Sequence, residues 1–250
     1  MRRDQIALQM YTVRDLAKAD FLGTIRKVAE IGYPAVEFAG LHGHAPKDVR
    51  AVLDEVGMTA PAAHVAYARM TDDNDDVFGE LTTLGTHYAV IPWIGEDQRT
   101  GDAARRFVAT LNPLGEQAKA AGLKLGYHNH DFEFAPLEGG GTMWDLIVAE
   151  TDPALVALEL DLYWVEYGGG STTSLMAEAP ERYELLHFKD MSGEGDARKD
   201  APIGTGSLDL GPIASGTGAN TKWYVVEQDV PSDPLADVAT SLVGMERMVE

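Results

Sequence analysis

The 250-residue chain contains no cysteine, which excludes disulfides, thiolate zinc sites, iron–sulfur clusters and cysteine nucleophiles. Basic residues are scarce, 20 Lys and Arg against 40 Asp and Glu, for a formal charge of -20. Such an excess repels phosphate backbones, and no long basic stretch offers a local exception, so DNA and RNA are poor partners. Long apolar runs are missing too. No segment approaches the roughly 18 apolar residues of a membrane helix. The opening MRRDQIALQM has neither the apolar segment nor the small-residue cleavage site of an export signal. These absences predict a cytoplasmic protein with no membrane partner. What is present, 45% hydrophobic residues, suffices for one large core, and a single barrel of about 250 residues is common.

Eight short β-prone runs recur at Ile6–Met10, Ala35–Phe38, Ala62–Val65, Tyr88–Pro92, Lys124–His128, Val156–Leu160, Glu184–Phe188 and Trp223–Glu227. Between most of them, apolar residues are spaced every three or four positions, over Phe21–Glu30, Pro46–Val56, Asp76–Leu84, Arg105–Ala121, Met143–Ala149 and Pro234–Met248. Asp20 is placed to cap the first of these helices, and Gly32 and Gly57 to end the first two. The sixth and seventh crossovers are less regular: Gly168–Gly170 and Ser171–Ser174 read as a loop before a brief apolar stretch at Leu175–Ala179. No Pro/Gly/Ser linker of interdomain length occurs. The alternation predicts one closed (β/α)8 TIM barrel spanning residues 1–250, with an open doubly wound sheet as the competing arrangement.

Neither common nucleotide motif is present: Gly139–Gly141 lacks the GxGxxG pattern, and no GxxxxGK[ST] occurs. Gly204-Thr205-Gly206 can cradle an anion through its backbone or simply form a turn. Asp72–Asp76 reads as a solvated loop and helix cap, since it lacks the EF-hand spacing.

Four consecutive candidate strands end in acids or imidazoles. They are His128-Asn129-His130-Asp131-Phe132-Glu133, Glu159-Leu160-Asp161, His187-Phe188-Lys189-Asp190 and Glu227-Gln228-Asp229. In a barrel these ends converge on one mouth, where residues distant in sequence become neighbours. Carboxylates and imidazole without thiolate suit a divalent cation, with manganese favoured and magnesium, cobalt or zinc as alternatives. The candidate metal ligands are Glu133, Asp161, His187 and Glu227, and either His128 or His130 can replace Glu133. Each has an ordinary alternative: Glu133 as a loop acid, Asp161 as a cap, His187 as a packed histidine, Glu227 as a partner of Lys189 or Lys222. Gln9, Tyr11 and Trp93 near the first and fourth strand ends, and His64 after the third, are candidate substrate contacts. Nothing in the sequence places His42, His44 and His87 around one atom, and they are not site candidates. Asp131, Asp190 and Asp229 are candidates for orienting their neighbours.

Together, Gly126–Phe134, Leu160–Trp164, His187–Asp190, Pro202–Gly206 with Asp209, and Val226–Asp229 resemble the xylose isomerase-like barrel superfamily. That group includes sugar phosphate isomerases/epimerases, ketose 3-epimerases, inosose dehydratases and enzymes acting on 3-keto-glycosides. The resemblance spans nearly the whole chain. In ketose 3-epimerase-like members two glutamates, an aspartate and a histidine hold the metal, and the glutamates exchange protons with substrate. Asp161, His187 and Glu227 match the second, third and fourth ligands. The first aligns most simply with His128, with Glu133 five residues later. Trp164 stands where a substrate-contacting histidine is common, and its indole suits a sugar face. No arginine is evident for a phosphate, so an unphosphorylated sugar, keto-sugar or cyclitol is the implied substrate.

The chemistry implied is proton abstraction beside a metal-polarised carbonyl, through an enediolate. Glu227 is the leading base, Glu133 or His130 its acid/base counterpart, and Lys189 stabilises charge on oxygen, with His128 also available to substrate. The leading reading is a metal-dependent carbohydrate isomerase or epimerase. The enzymatic alternative is elimination, as in a 3-keto-glycoside lyase or inosose dehydratase. A noncatalytic sugar-binding barrel is a further class, the charge disfavours an endonuclease IV-like enzyme, and a homo-oligomer is compatible with the sequence.

Overall fold

The computed structural model describes residues 1–72, 76–216 and 220–249. Eight parallel strands close into a barrel: β1 (Ile6–Gln9), β2 (Ala35–Ala39), β3 (Thr59–His64), β4 (Tyr88–Ile91), β5 (Lys124–His128), β6 (Val156–Asp161), β7 (Tyr183–Phe188) and, last in the chain, β10 (Trp223–Val226). Strand β10 closes the ring between β7 and β1. The expected (β/α)8 TIM barrel is therefore the fold, and each β-prone run lies on a barrel strand, with ends shifted by a few residues.

Helices cover the outside over Phe21–Ile31, Pro46–Val56, Val77–Leu84, Gly101–Ala120, Met143–Glu150 and Pro234–Glu246. The first begins where the Asp20 side chain accepts the Gly23 N–H, and the first two end on left-handed Gly32 and Gly57. Asp76 likewise caps Gly79; the rest of the acidic run, Asp73–Asp75, lies outside the described residues. The sixth crossover differs from expectation. A short helix, Leu162–Tyr167, follows β6 directly, and Ser171 caps a second, Thr172–Glu178, so the Ser/Thr run supplies a helix start rather than a loop. A small antiparallel hairpin, β8 (Asp190–Ser192) with β9 (Lys199–Ala201), follows β7 and is not evident as strands in the sequence.

Alternation along the strands sets the barrel interior in layers. Ala62, Tyr88, Val90, Ala157 and Leu185 form an apolar cluster, and Ala7, Ala35 and Val225 a second. Trp223 packs on both. Two residues further along these strands the chain carries Gln9, Glu37, His64, Glu159, His187 and Glu227, and His128 stands at the end of β5, two residues after Gly126. A further step of two gives Asp161 and Lys189. The apolar floor thus gives way to a polar layer toward the mouth.

Candidate metal centre and barrel mouth

Strand register brings the polar residues together. Asp161 on β6 is paired with His187 on β7, His128 on β5 with Glu159 on β6, and Gln9 on β1 with Glu37 on β2. His128, Asp161, His187 and Glu227 are all buried, and each offers one ligand atom within 4.8 Å of the others. A second group, His64, His128, Glu159 and His187, meets the same criterion and shares both histidines. These carboxylates and imidazoles make a plausible metal-coordinating cluster, the kind of arrangement on which a metal-dependent enzymatic active site is built.

The surroundings fit a cation. Glu37, Glu159, Asp161 and Glu227 are at most 4% exposed, and Asp229 joins them at the rim. Lys189, itself buried, sits 2.9 Å from Asp161 Oδ2, 2.8 Å from Glu227 Oε2 and 2.9 Å from Asp229 Oδ2. One ammonium is shared by three carboxylates, and His187, whose burial is outweighed by Glu159 and Glu37, is held well above its ordinary range and adds positive charge in a region that burial makes costly for ions. Asp161 Oδ2, although close to that ammonium, receives no well-directed hydrogen bond, and Glu37 Oε1 and Glu159 Oε1 are also buried without a donor. Asp161 Oδ1 is held by the Trp164 N–H at 3.0 Å.

Electrostatics divide the groups. Burial pushes Glu37 up, with repulsion from Glu159 adding to it, to about 7. For Glu227, burial is outweighed by Lys189 and His187, which hold the carboxyl well below its ordinary range. Burial of Lys189 is outweighed by Asp161, Glu227 and Asp229, so its ammonium is held well above the usual value. Burial, aided by His187, lowers His128 to about 4, and burial, with His128 and Lys189 adding to it, lowers His130 further. Both imidazoles are thus neutral at neutral pH.

A cavity of about 570 Å³ opens above the cluster, lined among others by His64, Trp93, His128, His130, Lys189 and Glu227. His130 Nδ1 is buried without a hydrogen-bond partner. Its ring meets Trp93 edge-on at 4.8 Å and packs against Trp164 at 5.3 Å. Trp93 is half exposed and carries Arg99 stacked on one face at 4.1 Å. Tyr11 also lines the cavity, with Arg14 over its ring.

Other sequence candidates lie elsewhere. Both oxygens of buried Glu133 accept hydrogen bonds, from Tyr127 Oη at 2.7 Å and the His130 N–H at 2.8 Å, and neither candidate ligand group contains it. Gln9 is fully buried, donating to Glu37 and accepting from the Tyr11 N–H. Trp164 borders a neighbouring recess with Tyr163, Tyr167 and Arg198. His42 and His44 pack on Phe21. Within the Gly204–Gly206 turn the backbone N–H groups of both glycines do grip an anion, the chain's own Asp190 carboxylate, at 3.0 and 2.8 Å.

Glu37 and Glu159 are not evident as site residues from the sequence. Both occur in mid-strand, in Ala-Val-Glu-Phe-Ala and Ala-Leu-Glu-Leu-Asp. An acid on the inward face of a buried strand, two residues before Asp161 in one case, is the signal that could have found them.

Comparison with known proteins agrees with this picture. The family described as "Xylose isomerase-like TIM barrel" matches residues 25–240. An inosose dehydratase of Geobacillus kaustophilus is 24% identical over 192 residues, 67% of this chain and 61% of that protein. The chain therefore matches less than two thirds of that relative's length. An inosose dehydratase of Lactiplantibacillus plantarum is 31% identical over 140 residues, covering 48% of this chain and 44% of that one. Among solved structures, a sugar phosphate isomerase/epimerase from Parabacteroides distasonis is 25% identical with a TM-score of 0.81, covering all of this chain and 96% of that one.

Proposed function

The chain belongs to the xylose isomerase-like TIM barrel family, and from that premise we propose that it is a divalent-metal-dependent lyase of the dehydratase type, removing water from a keto-cyclitol or related unphosphorylated keto-sugar. The observation that carries this reading over epimerisation is the inventory of proton carriers at the mouth. Epimerisation needs two such groups on opposite faces of one carbon, and Glu133, the candidate for the second carboxylate, is tied to Tyr127 and His130. His128 occupies the end of β5 instead. The resemblance to inosose dehydratases supports the same choice.

His128, Asp161, His187 and Glu227 would hold the cation, and their two imidazoles favour manganese, cobalt or zinc over magnesium. Bound there, a divalent metal supplies polarisation of a substrate carbonyl and acidification of the adjoining C–H bond. His130, whose ring lines the cavity while Nδ1 is buried, takes that proton on Nε2. The resulting imidazolium then returns the proton to the departing hydroxyl on the same face, which leaves as water while the C–H electron pair becomes the new double bond. Lys189 steadies the oxygen on which negative charge gathers, and Trp93 offers an aromatic face to the C–H patches of the ring.

Incubation of the manganese-loaded protein with an inosose is expected to yield a product lighter by one water. His130→Ala should lower turnover by roughly 100-fold or more while leaving metal affinity intact. A product of unchanged mass with solvent deuterium at carbon would overturn elimination in favour of isomerisation or epimerisation.

A further inference from the structure

Glu37 and Glu159 lie beneath the candidate ligands, each fully buried and neither lining the cavity. Their hydrogen bonds address opposite nitrogens of the two histidines. Glu159 Oε2 is 3.1 Å from His128 Nδ1, on the side away from Asp161, whose Oδ2 is 3.8 Å from His128 Nε2. Glu37 Oε2 is 2.7 Å from His187 Nε2, whereas His187 Nδ1 faces Glu227 Oε2 at 2.9 Å and Asp161 Oδ2 at 3.9 Å. A neutral imidazole has one N–H and one lone pair, so whichever nitrogen donates to a carboxylate leaves the other to bind.

We infer that Glu37 and Glu159 are positioning residues that take the His187 Nε2–H and the His128 Nδ1–H, and so direct His187 Nδ1 and His128 Nε2 toward the metal. The inference rests on the reading of those histidines as ligands. Each carboxylate is itself held. Gln9 Nε2 donates to Glu37 Oε2 at 2.9 Å, and His64 Nε2 lies 2.7 Å from Glu159 Oε2. Strand pairing makes these contacts rigid, with Gln9 beside Glu37 and His128 beside Glu159. His187 Nε2 is also 3.2 Å from Glu159 Oε2, so the two carboxylates back the same imidazole, with Glu37 the closer. Burying two acids beneath a site is costly unless they are hydrogen-bonded, and the groups that hold them are the ligands' own rings together with Gln9 and His64. A histidine ligand whose far nitrogen donates to a carboxylate is both oriented and made a stronger donor.

The test uses the full chain, stripped of metal and titrated with zinc, with Glu37→Gln and Glu159→Gln beside the wild type. Circular dichroism establishes that each variant is folded. Each substitution is expected to weaken zinc binding by roughly 10- to 100-fold, read by competition with a chelating dye. In 15N-histidine spectra the zinc-loaded wild type should show His128 bound through Nε2 and His187 through Nδ1. The remaining N–H of each should exchange slowly, and that protection should vanish in the matching variant. Unchanged zinc affinity in folded variants, or the reverse ring nitrogens on the metal, would overturn the inference. So would two equivalents of zinc, since a second ion on His64 and Glu159 requires those same N–H positions. If the wild type binds no zinc, the proposed metal centre fails. The inference is then judged in metal-free protein, where the His187 Nε2–H and His128 Nδ1–H signals must be present in the wild type and lost on substitution.

Discussion

Glu133 is buried, with Tyr127 and the His130 backbone donating to its two oxygens. Burial pushes its carboxyl from 4.5 up to about 8 despite those bonds. In the folded chain the group therefore keeps its proton over a range where the unfolded chain has lost it. Its contribution to stability is complete below about pH 4.5 and is lost as the pH rises through about 8, at about 1.4 kcal/mol per pH unit. Gln mimics the protonated acid, donating to Tyr127 while still accepting from His130. Urea denaturation of metal-free protein between pH 5 and pH 8 should show Glu133→Gln losing less stability than the wild type as the pH rises; parallel curves would show that Glu133 is ionised in the fold. The same variant separates two assignments of the first ligand: with His128 in that role it binds manganese like the wild type, whereas His128→Ala loses roughly 100-fold or more. The sequence exposes Asp161 and His187 because each closes an apolar strand. It conceals Glu37 and Glu159, whose ionisable groups make sense only once neighbouring strands supply Gln9, His64, His128 and His187.

At the level of elements, the barrel is legible because short β-prone runs alternate with segments whose apolar residues recur every three or four positions. The sixth crossover is not, because Leu162–Tyr167 begins on Asp161 itself, whose Oδ1 accepts the Trp164 N–H. One residue serves there as strand end, helix cap and candidate ligand, leaving no spacer to mark a boundary. The hairpin after β7 is obscured for a related reason: its stability comes from a remote turn. Asp190 accepts four backbone N–H groups, from Met191, Gly204, Gly206 and Leu208. A side chain at Gly206 would overlap that carboxylate, so only glycine lets the loop close on it. Asp190→Ala strands these donors in a part-buried site and should cost about 3 kcal/mol. Since Asp190 adjoins Lys189, catalysis should suffer with it. The measurement is the urea midpoint, and a loss below about 0.5 kcal/mol would mean that water replaces the carboxylate without penalty.

For the whole molecule, the charge of -20 and the mouth's buried carboxylates act in the same direction. A field of this sign draws divalent cations toward the protein and disfavours anionic ligands at long range. No helix among the described residues is long and apolar enough to cross a membrane. Inside the barrel, Lys189 pairs with Asp161, Glu227 and Asp229, so a bound dication would share two of the proposed ligands with its ammonium. Binding to the folded state alone stabilises it by about 2.7 kcal/mol when metal is present at about 100 times its dissociation constant. For a chain of this length that corresponds to a rise in melting temperature of roughly 5 to 10 °C. Manganese should produce this rise, a chelator should reverse it, and His128→Ala should abolish it. Magnesium, a poorer match to two imidazoles, should shift the transition less at equal concentration. A melting temperature indifferent to every divalent ion would mean that Lys189 and the histidines already balance the mouth, and the molecule's acidity would then have no bearing on its chemistry.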